Sequence, residues 1–337
     1  MNEPGLQALL DQETLRGRVA DDALPAWASD HYQAFRATTL GERDGAPFPC
    51  YFGVESERNG DALYTFVPSP TDPAALLRFR DVLVEYLDVF RDHAERCSLV
   101  TFFEPDPRLA TEADYHERLW HVLQFLHVHD PEPWPEEIPT DPDDPYWEFC
   151  FGGEPIFPTT RAPFYADGDG DAGGDTDADA DADPVRASRY CPVGLEVTFQ
   201  PRAIFEGITG DTEAGQHARD VIRDRLEAYD GACPHADLGD WGVEGDREWV
   251  QYMLSVDDDQ FPDDCPLRIS RTHPKADPRF DPAMPGGDDA DGRADADGRG
   301  DADDARGTDE DDGHDAGDED SDRDRPLAAD GGRESRP

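Results

Sequence analysis

The chain has 337 residues and a formal net charge of -49, and Lys275 is the only lysine among its 30 basic residues. Nucleic-acid binding draws its affinity from neutralised phosphates and needs the opposite sign, so that class of function is excluded. No apolar stretch approaches the roughly 18 residues of a membrane span, and the start, "MNEPGLQALLDQETL", lacks the basic n-region of a signal peptide; the expectation is a cytoplasmic protein without nucleic-acid or membrane partners.

The acid is only partly local. Eight Asp fall in residues 167–183, and 22 acidic against 8 basic residues run from Ala276 to the end; the remaining body holds 49 acidic and 22 basic residues. An excess spread over the whole body, with Arg almost replacing Lys, suits a surface adapted to molar salt, where the Debye length falls to roughly 3 Å. The charge then reports on a halophilic solvent and says little about a ligand. Six cysteines form no C-x-x-C pair, which argues against a zinc ribbon, and several sit in apolar runs as structural thiols.

In chain order, residues 1–45 read as an N-terminal helical segment. "CYFGV" (50–54) and "ALYTFV" (62–67) follow as strands. "DPAALLRFRDVLVEYLDVF" has a cap-like Asp72, Pro73 in the first turn and apolar residues Leu76, Phe79, Leu83, Leu87 and Phe90, so it reads as a helix. "SLVTFF" (98–103) is continuously apolar and belongs in the middle of a sheet. "TEADYHERLWHVLQFLHV" opens with a T-x-x-D cap and repeats at Tyr115, Leu119, Leu123 and Leu126, giving a second helix. "WEFCF" (147–151) and "LEVTF" (195–199) alternate as strands with two distinct faces. "EAGQHARDVIRDRLEAYD" (213–230) makes a third helix, and "WVQYML" (249–254) a last strand. The Asp/Gly/Ala runs at 167–183 and 274–337 cannot offset their ordering entropy, and are expected to be a disordered insertion and tail. The predicted class is α+β: a single mixed sheet of about five or six strands covered by helices, in one domain over residues 46–273.

Candidate chemistry centres on "HVHDPEPWPEEIPTDPDDPYWEFCFGGEPIF" (127–157). Helical spacing puts His116, Trp120, Leu123 and His127 on one stripe, while His129 and Asp130 fall in the exit turn before Pro131. Either His127 packs and caps the helix end while Asp130 pins the turn, or these groups belong to a metal, haem or substrate contact. No metal can be named from H-x-H-D alone. In the two alternating strands, Trp147, Phe149 and Phe151 share one face and Glu148 and Cys150 the other. Likewise Glu196, Thr198 and Gln200 oppose Leu195, Val197 and Phe199, with Arg202 just past the end. The polar faces either meet solvent or floor a pocket. In a pocket, Glu148 near Arg202 would act as a base or grip a cation. Gln200, Cys150 and Trp147 would line the substrate, which is expected to be a small and cationic molecule. Arg186 and Arg189 in "RASRYCPVG" either balance neighbouring acid or hold a carboxylate such as a haem propionate.

"PFPCYFG", "LWHVLQFLHVHDPEPWPEEIPTDPDDPYWEFCFGGEPIF", "TFQPRAIFEGI", "IRDRLEAYD" and "EWVQYML", in this order, resemble the YqcI/YcgG family from about Ala46 to about Ser255. A related branch of that family contains haem-dependent N-hydroxylases acting on guanidino groups. The resemblance therefore implies a haem-dependent oxygenase acting on a guanidino or amino compound; the alternative is a non-catalytic small-ligand or stress-related protein without haem. The branch carries a His-Pro step where this chain has "TTRAPFY", and Ala162 cannot ligate iron. His127 is the first candidate to replace it, with Arg186 and Arg189 on the propionates.

Overall fold

Asp11 ends one element and starts the next. It closes the two-residue strand β1 (Leu10–Asp11), and its carboxylate accepts the Thr14 N–H at 2.7 Å to cap α1 (Gln12–Ala20). Pro25 then sets the start of α2 (Ala26–Leu40), whose inner face carries His31, Tyr32 and Phe35. Asp44 and Gly45, both at positive φ, turn the small hairpin β2 (Glu42–Arg43) and β3 (Ala46–Pro47). The chain continues through α3 (Tyr51–Asn59), β4 (Leu63–Val67), α4 (Pro73–His93), β5 (Leu99–Phe103) and α5 (Glu112–Val128). It ends in β6 (Cys150–Phe151), β7 (Glu154–Arg161), β8 (Glu196–Pro201) and α6 (Glu213–Asp230). This computed structural model describes residues 6–166, 186–208, 212–256, 262 and 264–272, all in the unit Met1–Gly287. The acidic stretch 167–183 and the tail from 274 lie outside the described residues.

The class is α+β. Six strands form one mixed sheet in the order β1-β4-β5-β8-β7-β6, with β4 and β5 parallel and the other pairs antiparallel. Residues before 46 are part of it, since Leu10 and Asp11 pair with Tyr64 and Leu63.

Two helix caps are those read from the sequence. Asp72 accepts the Ala74 N–H at 3.0 Å ahead of Pro73, and Thr111 and Asp114 form a reciprocal capping box. Helix α4 sinks Leu76, Phe79, Leu83, Tyr86 and Phe90 into the main core. Each such side chain contributes about 1.5–3 kcal/mol when fully buried. There they meet Leu63, Val67, Leu99, Phe103, Val197 and Phe199 from the sheet, together with α5. The opposite strand positions, Tyr64, Phe66, Val100 and Phe102, face α1 and α2 in a second core. A sheet buried on both faces explains why "LYTFV" and "LVTFF" are apolar without alternation.

Three elements differ from the sequence reading. "CYFGV" begins α3 instead of a strand: the Cys50 thiol accepts the Gly53 N–H at 3.4 Å, and Gly60 at φ 82° ends the helix. "WVQYML" begins as a 3-10 turn over Glu248–Gln251. Within "WEFCF" only Cys150 and Phe151 join the ladder, and β7 stands between them and β8, so "WEFCF" and "LEVTF" share the sheet without being neighbours. The turn from β6 to β7 is Gly152-Gly153, both at positive φ; at Gly152 a Cβ would also come within 2.8 Å of Leu87.

Candidate functional site

The exit of β8 runs into a 3-10 turn over Arg202–Phe205, which aims Arg202 at two acids. Its Nε donates to Glu148 Oε2, and its Nη2 lies 3.5 Å from Glu248 Oε1. The guanidinium carbon sits 3.8 Å from the centre of the Trp241 ring, a cation–π contact. Glu148 is fully buried and Glu248 is 7% exposed, whereas the Arg202 side chain keeps 21% of its surface in water. The cluster is therefore sealed behind the acids and open on the side of the arginine.

One guanidinium faces two buried carboxylates. Burial pushes both acids well above the ordinary carboxylate range, with Arg202 pulling back and, at Glu248, the charge of Glu148 pushing further. Glu248 Oε2 accepts from Gln251 Nε2 at 3.3 Å. Glu148 Oε1 has no hydrogen-bond partner among the described residues. A buried, unbonded carboxylate oxygen beside a shared cation leaves room in the bonding, though little in space, for one more donor.

The other nominated residues are placed as follows. Cys150 is buried, with its thiol 3.4 Å from the carbonyl of Glu148, and burial drives its pKa far up, so it is held as a thiol. Trp147 is buried against Trp134 and Tyr252. Gln200 is bonded elsewhere: its amide donates to Thr159 Oγ1 at 3.2 Å. Glu248 and Trp241 are missing from the sequence reading. Glu248 stands at the head of "EWVQ", where a strand-like pattern hid a turn, and Trp241 lies in an irregular Gly-rich loop.

The residues nominated for haem do not fit that group as a set. His127 is buried under Trp134, and its Nε2 accepts the Ser270 N–H at 3.1 Å, so that lone pair is in use. Arg189 donates to the Thr160 carbonyl at 3.2 Å. Arg186 and Arg189 border, with Asp230 and His235, a cavity of about 40 Å³. That volume accommodates little more than a water molecule. A larger groove, about 690 Å³, lies between α1 and α2 beside Arg16, Tyr32 and Arg36, away from every nominated haem residue. In the exit turn of α5, His129 Nδ1 is bonded to the Phe125 carbonyl at 2.9 Å, and Asp130 Oδ1 accepts the N–H groups of Glu132 and Gly152.

A mixed sheet buried on both faces, with a cation clamped between two acids at the exit of β8, defines an α+β protein that carries a buried polar cluster at a strand exit. The chain belongs to the YqcI/YcgG family, whose model matches residues 35–169 and 180–268. It is 34% identical over 249 residues to "Uncharacterized protein YcgG" of Bacillus subtilis, covering 73% of this chain and 90% of that one. A second Bacillus subtilis relative, "Uncharacterized protein YqcI", is 31% identical over 73% of this chain and 89% of its own. The "Putative N(omega)-hydroxy-L-arginine synthase DcsA" of Streptomyces lavendulae is 32% identical over 276 residues, 79% of this chain and 92% of that one. No solved structure matches the chain significantly. Among the described residues no helix is long and apolar enough to cross a membrane.

Proposed function

We propose that the chain takes a small guanidino or amino cation at the Glu148–Arg202–Glu248 cluster and, as an enzyme, N-hydroxylates it. The observation carrying this reading is that two buried carboxylates and the Trp241 ring already enclose a guanidinium, that of Arg202. Arg202 stands on a short turn with part of its side chain in water, and is the group a ligand's guanidinium would displace. The name of the Streptomyces relative supports an arginine-like substrate. N-hydroxylation also needs a group that activates oxygen. Haem is the one the family resemblance implies; because His127, Arg186 and Arg189 do not make its pocket, the residues above account for binding and orientation of the cation only. That mismatch favours a second reading, in which the same cluster binds a ligand without turnover. In either case we place the protein in a salt-rich cytoplasm, on the strength of its acidic, lysine-poor body.

The test is chemical rescue followed by an activity assay, both in molar KCl. Methylguanidine, agmatine and L-arginine should raise the melting temperature of Arg202→Ala by several degrees and that of the unaltered chain by less. No shift in either protein removes the binding site. A Soret band after haem addition, together with N-hydroxyarginine from arginine, oxygen and reductant, supports the enzyme. Rescue without haem uptake or product supports the binder.

A further inference from the structure

Three donor side chains of different chemistry meet on the face of the sheet covered by α2. Helix α2 brings His31 against the Phe102 ring at 5.1 Å, β8 brings Glu196, which pairs in register with Phe102, and the turn before β8 brings Cys191. One nitrogen of His31, the Cys191 sulfur and one Glu196 oxygen all lie within 4.8 Å of one another, and all three residues are buried. Donors bound tetrahedrally at roughly 2.0–2.3 Å stand roughly 3.3–3.8 Å apart, so a small contraction would close the set around an ion.

The imidazole supplies the second observation. His31 is fully buried, yet neither ring nitrogen has a hydrogen-bond partner among the described residues. A neutral imidazole carries one N–H donor and one lone pair, and leaving both unpaired in an interior is costly. The backbone of Gly194 and Phe103 stands beside the ring without forming a well-aligned hydrogen bond to either nitrogen. Gly194 packs against the ring: a Cβ there would stand 3.4 Å from its Cε1.

The other two donors are oriented as ligands need to be. Arg161 Nη1 lies 3.3 Å from both Glu196 oxygens, and its Nη2 donates to the Tyr190 carbonyl at 2.9 Å, one residue before Cys191. One guanidinium thus fixes both the carboxylate and the backbone that carries the thiol, the role outer partners play around metal ligands.

We propose that His31, Cys191 and Glu196 form a binding site for a borderline divalent transition-metal ion of the zinc(II) type, tying α2 to β8. Nitrogen, thiolate and carboxylate are the donors such an ion takes. Binding forms one sulfur–metal bond and releases the thiol proton to solvent, with no change of oxidation state. With Arg161 included, the loaded site carries a net charge of about +1, less than the +2 of a three-histidine zinc site. The proposal is independent of the guanidino reading.

The full chain, stripped with chelator in molar KCl, should be titrated with cobalt(II). A near-ultraviolet thiolate-to-cobalt band is expected, saturating at one equivalent and displaced by zinc. The band should vanish in Cys191→Ala and survive in Cys233→Ala, which alters an exposed thiol. His31→Gln should weaken cobalt binding at least tenfold. As a readout that needs no variant, one equivalent of zinc should raise the melting temperature of the unaltered chain. Absence of the band together with an unchanged melt overturns the site, as does a band that persists in Cys191→Ala. Cobalt bound without a thiolate band is binding by surface acid, which also overturns it.

Discussion

The carboxylate of Asp130 accepts the backbone N–H of Gly152 at 2.9 Å, joining the end of α5 to the turn between β6 and β7. The same oxygen takes the Glu132 N–H at 2.9 Å, so one side chain orders two loops. Burial pushes its pKa up to about 7 in spite of both bonds.

A carboxyl raised from its usual value near 4 contributes stability that is fully present below that value. The contribution is lost as pH rises through about 7. Asp130→Asn keeps the acceptor oxygen and cannot ionise. The unaltered chain should therefore lose stability between pH 4 and pH 8 relative to the variant, by an amount on the order of 1.4 kcal/mol per pH unit of displacement. Denaturant melts of both proteins at pH 5 and pH 8 measure it, and equal pH slopes would show that Asp130 is ionised in the fold. His127, whose pKa burial lowers to about 4, has the opposite sign: its contribution is present above the unfolded value near 6.5 and is lost on acidification through about 4.

Glu57 should be among the most sensitive positions in the second core. It is 2% exposed; its Oε2 accepts from Tyr64, and its Oε1 accepts from Arg36 at 2.7 Å and Tyr32 at 3.3 Å. Glu57→Ala leaves two buried phenols and a partly buried guanidinium without their acceptor, at a cost of about 3–5 kcal/mol. Tyr32→Phe removes one donor and leaves the rest, so about 1 kcal/mol is expected. Urea melts should rank the two in that order.

Much of this fold is legible in the sequence wherever one local signal agrees with tertiary packing. Asp72-Pro73 and Thr111-x-x-Asp114 cap the helices they mark, and the apolar runs of β4 and β5 lie in the middle of a two-sided core. Strand β7 is hidden by Pro155 and Pro158, which interrupt a strand pattern. They are tolerated because β6 is only two residues long: it pairs with Glu154 and Pro155 and leaves the edge of β7 beyond them without a strand. Further along, the Thr160 N–H goes to the Tyr252 carbonyl at 3.0 Å, so the segment read as a strand covers that edge as a turn. Glu148 and Arg202 can be picked from alternation and a strand exit. Glu248 cannot, because it reaches them from 46 residues beyond Arg202, and no local pattern records so distant a contact.

Salt should stabilise the chain in proportion to its surface charge. At about 0.1 M salt the Debye length is roughly 10 Å, so repulsion between surface charges is poorly screened. The body's 49 acidic residues, offset by only 22 basic ones, then repel one another. Lowering KCl from about 2 M to about 0.1 M should depress the melting temperature by roughly ten degrees or more. Substituting sodium for potassium chloride separates screening, which both supply, from binding of a particular cation. A melt that is flat across this range would show that the acidic surface is neutral to stability.

At the cluster itself, Glu148→Gln and Glu148→Ala should behave differently. The alanine variant leaves Arg202 with Glu248 alone and opens a void. About 1–3 kcal/mol of stability should be lost. The glutamine variant keeps an oxygen for the Arg202 Nε and removes one of two repelling acids. Its cost should be smaller near neutral pH and should shrink further above pH 8. That follows from the sign: both acids are raised, so in the unaltered chain their contribution is complete at acid pH and fades as pH climbs through their folded values. With Glu148 uncharged, the push it exerts on Glu248 is gone and the latter should titrate closer to an ordinary carboxylate. A double-mutant cycle over Glu148→Ala and Arg202→Ala should show coupling of about 1–3 kcal/mol, whereas additive losses would mean that the acid and the guanidinium stabilise the fold independently.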